Sequence, residues 1–407
     1  MGWFAIRTAY SKAPIKLPSS SLREKEREKE GEANRIPRKA LIHRRWARLG
    51  ILAVFLLLAV GCSTARQSTF DPAGPVASKQ LELFNVLLWV MVAVFILVEG
   101  ALLYAIIRFR RRPGQELPNQ THGHLALEIA WTIVPTILIM ALGIWTVFTI
   151  FDLEEPPASA DNVLDVTVTA HQWWFEFEYP DAGGGKRITT ANELRVPVDV
   201  PVRLTLLSDD VIHSFWVPKL AGKLDMVPTR SNQMWFQADA NDIDEFPATF
   251  FGQCAEFCGI AHALMRFRVI VFEQNEFDAW VQNYGEPPAT SEQAQRGKAV
   301  FGQCVMCHTI DGRDDRELQA GRLDAFLIGG AQVPAPNLTD LRTRSTLGAG
   351  LLDLNTENLR LWLKNPDDLK PGNSMSDRAA HLYSEGSDIT LSEDQLNDII
   401  AYLLNLQ

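Results

Sequence analysis

Two short runs of cysteine, histidine and methionine carry the chemistry of this chain. The first is Cys254-Ala-Glu-Phe-Cys258-Gly-Ile-Ala-His262-Ala-Leu-Met265, with His213 upstream in Asp210-Val-Ile-His-Ser-Phe-Trp216. Two thiolates, two imidazoles and a thioether are soft or borderline donors, a set that suits copper better than magnesium, calcium or manganese. Cys254, Cys258 and His262 lie close enough in sequence to converge on one point, and the distant His213 closes the site. Two other readings stay open at this stage. A disulfide between the cysteines is compatible with an oxidising compartment, but it leaves His262 and Met265 without a role. A zinc site of two cysteines and two histidines fits the count and leaves Met265 idle.

The second run is Cys304-Val-Met-Cys307-His308. The C-x-x-C-H pattern is a c-type haem attachment site, in which each thiol adds to a haem vinyl group and the histidine ligates the iron. A redox dithiol or half of a zinc site is the alternative. Both are weakened by an oxidising setting and by the lack of a further cysteine nearby. After His308, only Met375 and His381 are of a type to supply a sixth iron ligand.

The elements that must position these residues differ along the chain. From about Val163 the apolar period is two: Val163–Ala170, Trp173–Tyr179, Leu194–Pro197, Val202–Leu207 and Arg266–Phe272 read as strands. Short strands with Gly/Pro turns, such as Gly183-Gly-Gly185, predict a small β-sandwich or barrel. Phe272–Pro288 reads as a linker, and a helical domain follows. Thr290-Ser-Glu-Gln293 has capping-box form before Ala294–Phe301, and Thr390-Leu-Ser-Glu393 caps a final amphipathic helix through Leu404.

Upstream of the strands lie two apolar stretches, Leu81–Ile107 and Leu125–Phe151, each long enough as a helix to cross a bilayer. Between them stands Arg108-Phe-Arg-Arg-Arg112, which by the positive-inside rule is cytoplasmic. Everything after Phe151 is then extracytoplasmic. Glu128 sits near the cytoplasmic end of the second stretch, where it is either a proton-input group or an interfacial residue. Glu99 lies deeper and should face a protein neighbour, since intramembrane carboxylates are costly. The hairpin has too few polar groups to form a channel by itself, which points to a larger membrane partner.

Residues 1–61 hold 13 Lys/Arg against 5 Asp/Glu, whereas the whole chain has 39 against 49 and a net charge of −10. Ser21–Glu30 alternates charge signs without a core-forming pattern and reads as disordered. Arg44, Arg45 and Arg48 then precede the apolar run Leu49–Gly61, a secretory-signal pattern. Ala59-Val60-Gly61-Cys62 resembles a bacterial lipobox, which makes Cys62 a lipidation candidate. The acidic remainder excludes a uniformly basic nucleic-acid binder, and five cysteines in 407 residues exclude a disulfide scaffold.

Taken in order, the hairpin, His213, the Cys254–Met265 run and Cys304–His308 resemble cytochrome c oxidase subunit II with a fused class I cytochrome c domain. The resemblance covers roughly residues 76–407. After the disordered, signal-like front at 1–61, it implies a multidomain chain: a transmembrane helical hairpin at 76–155, a cupredoxin-like β-barrel at 160–275, a linker at 276–290 and an all-α cytochrome c domain at 291–407. It implies a dinuclear copper centre (CuA) bridged by Cys254 and Cys258, with His213, His262, Met265 and the Glu256 carbonyl completing the shell. By the same resemblance the Glu256 side chain helps hold magnesium at a junction with subunit I, Trp173 in His171-Gln-Trp-Trp174 receives electrons, and Glu128 in Leu127–Pro135 opens a proton pathway. Lys370-Pro-Gly-Asn-Ser-Met375 resembles the loop that presents the methionine ligand to haem c, and Pro336 the proline whose carbonyl orients His308. Gly297, Phe301 and Tyr402 match that family's crossing of first and last helices.

The implied function is electron input to a bacterial haem–copper oxidase that reduces oxygen and pumps protons. The implied partners are subunit I, subunit III and an external donor such as a soluble cytochrome c, in the inner membrane. Three rivals stand beside it: a nitric oxide reductase subunit, a quinol oxidase subunit, which lacks the copper ligands, and a non-redox assembly or anchoring subunit.

Overall fold

The computed structural model describes residues 50, 65–111, 114, 120, 122–157, 162–285, 291–305, 307–310, 335–379, 381–383 and 388–406. The candidate Cys62, the charged segment Ser21–Glu30 and residues 286–290 of the expected linker lie outside the described residues. Helix α1, Pro75–Arg108, starts six residues before the apolar stretch does. Proline is pre-organised for the first turn of a helix, and Val76 and Ala77 are buried. Polar Ser78-Lys79-Gln80 hides that first turn from a hydropathy reading. At about 1.5 Å per residue its 34 residues exceed the roughly 30 Å of a bilayer core, so the first turns belong to the extramembrane part. Helix α2 is Leu125–Asp152. No residue in the most apolar window of either helix is buried in the isolated chain, as expected of lipid- or partner-facing helices. Lys79 pairs with Asp152 at 3.2 Å across their outer ends.

The outer ends of the hairpin are fastened to a β domain. Ala73 N donates to Lys219 O at 2.7 Å, and Trp235 Nε1 donates to Leu153 O at 3.0 Å. A Cβ on Gly74 would lie 1.9 Å from Gln237 O, so only glycine allows that approach.

The β domain has ten strands: β1 Leu164–His171, β2 Trp174–Tyr179, β3 Ile188–Ala191, β4 Glu193–Pro197, β5 Val202–Ser208, β6 His213–Trp216, β7 Lys223–Met226, β8 Asn232–Phe236, β9 Ala248–Cys254 and β10 Arg266–Phe272. They form two five-stranded sheets, β3-β2-β1-β5-β8 and β4-β10-β9-β6-β7. Each contains one parallel pair, β1 with β5 and β10 with β4. Alternate residues turn inward, among them Val166, Val168, Phe175, Phe177, Leu204, Leu206 and Phe267. Each such side chain contributes about 1.5–3 kcal/mol by leaving water. Phe267 packs on Phe175 and Phe215 at 4.8 and 4.7 Å, directly beneath the β9–β10 loop that carries the cysteines. Gly252 of β9 leaves room for that ring, since a Cβ there would come within 2.2 Å of it.

The segment expected as a linker begins otherwise. Gln274–Asn283 is a helix, α3, with Phe277, Trp280 and Val281 buried against the barrel. Tyr284 donates its hydroxyl to Thr189 O at 2.7 Å. The i, i+3, i+4 spacing of those apolar residues was present in the sequence but masked by their polar neighbours.

In the C-terminal domain, α4 (Glu292–Phe301) crosses α8 (Glu393–Leu403). Gly297 sits at the crossing, where a Cβ would stand 2.0 Å from Asp398 O, and Phe301 packs on Tyr402 at 5.3 Å. Between them lie a short ribbon, β11 (Thr346–Leu347) with β12 (Leu352–Asp353), and helices α5 (Thr356–Lys364), α6 (Pro366–Leu369) and α7 (Ser374–Arg378). The caps differ from expectation by one or two residues. Ser291 caps α4, with its hydroxyl accepting from Ala294 N at 3.1 Å. The last capping box is Ser392 with Gln395, because Thr390 is already committed to Leu382 O through its amide and its hydroxyl.

Candidate functional site

The β9–β10 loop gathers the first motif. Cys254 and Cys258 Sγ lie 3.7 Å apart, and both residues are buried. His213 Nδ1 is 3.9 Å from Cys254 Sγ, while His262 Nδ1 and Met265 Sδ are 3.5 and 3.8 Å from Cys258 Sγ. The Glu256 carbonyl oxygen lies 3.1 Å from Cys254 Sγ. All the expected donors therefore converge, with His213, Cys254 and Cys258 donor atoms within 4.8 Å of one another. The Glu256 side chain points away to the surface, beside Phe257 and Ile260, which are 76% and 74% exposed.

Electrostatics prepare this cluster for a cation. The hydrogen bond from Cys258 holds the Cys254 thiol down to about 3, with His213 and the Ser214 and Glu256 backbone helping against burial. The same shared proton, together with burial, holds Cys258 up. A metal that binds both sulfurs would displace the proton they share. His213 has burial working against its charged form, yet Asp210 and Cys254 raise it. Asp210 Oδ1 lies 2.8 Å from His213 Nε2, which leaves Nδ1 turned toward the sulfurs as a ligand. Sequence reading quoted Asp210 without giving it this role, although its i, i+3 spacing from the histidine was the available signal. The soft donor set, complete with a thioether, fits copper.

The second motif lines an apolar cavity. Cys304, Cys307, His308, Pro336 and Met375 share its wall with Leu359 and Trp362. His308 Nδ1 lies 2.9 Å from Pro336 O, so that nitrogen donates and Nε2 is bare. Burial lowers His308, which keeps the ring neutral, as an iron ligand must be. Burial pushes Cys304 up to about 12 and raises Cys307. Burial thus favours the neutral thiol at both positions. Met375 is presented from the first turn of α7, where Asn373 Oδ1 accepts from its amide at 2.7 Å. His381, the other candidate, also borders the cavity but is exposed, with its Nε2 3.4 Å from Gln303 O. The residues present fit a covalently held haem.

Trp173 touches both centres. Its Nε1 donates to Cys258 O at 3.0 Å, beside Gln172 Nε2 on the same carbonyl at 2.7 Å, and its indole lines the cavity. Glu128 lies far from these sites in sequence, in the first turn of α2, where its carboxylate accepts from His124 N at 3.2 Å. A carboxylate is electrostatically favoured at that helix end.

The chain is similar to known proteins along most of its length. The family described as cytochrome c oxidase subunit II, periplasmic domain, matches residues 182–273. The transmembrane domain of the same family matches 63–149, and cytochrome c matches 294–407. "Cytochrome c oxidase subunit 2" of Bacillus sp. (strain PS3) is 38% identical over 373 residues, covering 89% of this chain and 98% of that protein. The protein of the same name from Bacillus subtilis (strain 168) is 36% identical over 375 residues, covering 89% and 98%. Among solved structures, the periplasmic domain of subunit II of cytochrome oxidase of Bradyrhizobium japonicum is 33% identical, covering 31% of this chain and 94% of that one, with a TM-score of 0.27.

Proposed function

Because the chain belongs to the cytochrome c oxidase subunit II family and carries a C-terminal cytochrome c domain, we propose that it takes electrons from an external donor at its haem domain and delivers them through its copper centre to subunit I of a haem–copper oxidase. It is a membrane-anchored oxidase subunit with a periplasmic domain. The nitric oxide reductase, quinol oxidase and assembly readings are not favoured: the redox-ligand sets are complete, and relatives of nearly full length are cytochrome c oxidase subunits.

When bound, haem c and the copper pair each take up and release one electron at small cost in geometry. The chain's own residues do the rest. Cys304 and Cys307 would anchor the haem, and His308, steadied by Pro336, and Met375 would hold its iron. Methionine–histidine ligation raises the potential and fills the iron, which favours electron transfer over ligand binding. Cys254, Cys258, His213, His262, Met265 and the Glu256 carbonyl would hold the copper pair. The exposed Glu256 carboxylate is available to a magnesium ion shared with subunit I, and exposed Phe257 and Ile260 give that contact an apolar rim. Glu128 is assigned to the mouth of a proton path, subunit III and a soluble cytochrome c to the partners, Cys62 to lipid attachment, and the whole to a bacterial inner membrane.

The observation that carries this reading is that Trp173 belongs to both sites, hydrogen-bonded to the Cys258 carbonyl and lining the haem cavity. Flash reduction of the haem in the purified complex, followed by copper absorbance, tests it. Trp173→Ala should slow the haem-to-copper step at least about tenfold, since even a displacement of about 1 Å can cost a hundredfold in a positioned system. An unaltered rate with both spectra intact would remove Trp173 from the path.

A further inference from the structure

Much of the contact between the haem domain and the barrel is made by groups outside both centres. Glu193 of β4 is 1% exposed, and its Oε1 accepts four hydrogen bonds: from the amides of Ser345 and Thr346, both at 2.8 Å, and from their hydroxyls at 2.7 and 2.8 Å. Around this socket, Arg195 Nη2 donates to Thr343 O at 2.5 Å and Arg268 Nη2 to Gly350 O at 2.9 Å. Thr190 donates to Asp340, itself buried and paired with Arg344 at 2.6 Å. On the copper side, buried Lys370 donates to Trp173 O at 2.5 Å. Gly372 lies against Ile260 and the Trp173 ring, with space for a hydrogen but not for a Cβ.

A domain that swings on a tether makes weak, exposed, salt-screened contacts. These are the opposite: buried and charged, with four donors on Glu193 Oε1 and the Arg195 guanidinium 3.8 Å from Oε2, and a buried carboxylate is tolerated only where donors or an opposite charge compensate it. We propose that the haem domain is locked in one pose on the copper barrel by the Glu193 socket, and that this pose closes the Trp173 face to any second cytochrome. The proposal rests on the electron route given above. External electrons then reach copper only through haem c. One electron moves along that route, and no bond forms or breaks. Glu193 is a positioning residue: it touches neither the copper donors nor the haem cavity.

The test uses the intact, haem- and copper-loaded complex. In the native protein the haem-to-copper rate should change less than about twofold between roughly 10 mM and 1 M salt, although the screening length falls from about 30 Å to 3 Å. Glu193→Leu should lower that rate at least about tenfold and make it salt-dependent, because four donors lose their acceptor. Glu193→Gln should restore part of the rate through its amide oxygen. Haem and copper spectra should stay native in both, and hydrogen exchange at the Ser345 and Thr346 amides should rise in Glu193→Leu. If Glu193→Leu loses either spectrum, the pair Ser345→Ala with Thr346→Val, which leaves the barrel untouched, carries the same expectation in weaker form. A salt-dependent native rate, or variants as fast as native, overturns the lock while leaving the electron route intact. No haem-to-copper transfer in the native protein overturns the route itself, and the lock with it.

Discussion

Cys258→Ser is expected to abolish copper-dependent electron input while leaving the haem absorbance unchanged. Cys258 Sγ is the hub of the first site: Cys254 Sγ, His262 Nδ1 and Met265 Sδ all lie within 3.8 Å of it. A hydroxyl is a harder and far less acidic donor, so it neither bridges soft ions nor releases its proton to them. Cys258 also supplies the hydrogen bond that is the largest cause of the lowered Cys254 pKa. Loss of an outer partner of a metal ligand typically costs about 10–100-fold. Loss of a bridging ligand should exceed this, so turnover with an external donor should fall at least about a hundredfold. Oxidase assay with parallel copper analysis checks it. Native turnover with native copper content would show that Cys258 is not a ligand.

Met375→Leu should act on the other centre. Leucine keeps the apolar volume of a residue that packs against the domain core but removes the thioether. His308, buried and bonded to Pro336, would still hold the iron from its side. The sixth position would open to an added ligand such as carbon monoxide. Axial ligands set haem potentials over about 0.8 V, so a fall on the order of 100 mV is expected. At about 59 mV per decade for one electron, that is roughly a fiftyfold change in the equilibrium with the donor. Redox titration and carbon monoxide difference spectra read both effects. An unchanged potential with no carbon monoxide binding would transfer the ligand role to His381, which lines the same cavity.

Much of this was legible in the sequence, because metal and haem donors cluster locally. Four of the five side chains assigned to copper fall within one loop, and the residues assigned as haem anchors within one turn, so their spacing alone brings them together. The two apolar spans and the alternating strands were equally local. The contacts that orient the sites were less so. Asp210 shares a short stretch with His213, but which ring nitrogen it takes depends on where the sulfurs lie in space. Glu193 and Ser345 are 152 residues apart, and Lys370 and Trp173 are 197 apart. Nothing in either segment marks the other as its partner: a carboxylate reads as a solvated charge until its donors are found. Helix α3 is an intermediate case. Its apolar spacing was visible, but its polar composition resembled a tether, and only the barrel surface that receives Phe277 and Trp280 makes it a packed element.

The central claim is a pair of sulfurs that clamps two coppers next to a covalently bound haem in one chain. Metal analysis joined to electron paramagnetic resonance of the purified, fully matured complex tests it most directly. The expected result is two coppers per chain in the extracytoplasmic domain, sharing one unpaired electron over both nuclei, and one haem that stays with the polypeptide after denaturation. Zinc in place of copper, a single copper with its electron on one nucleus, or haem released on denaturation would contradict the account.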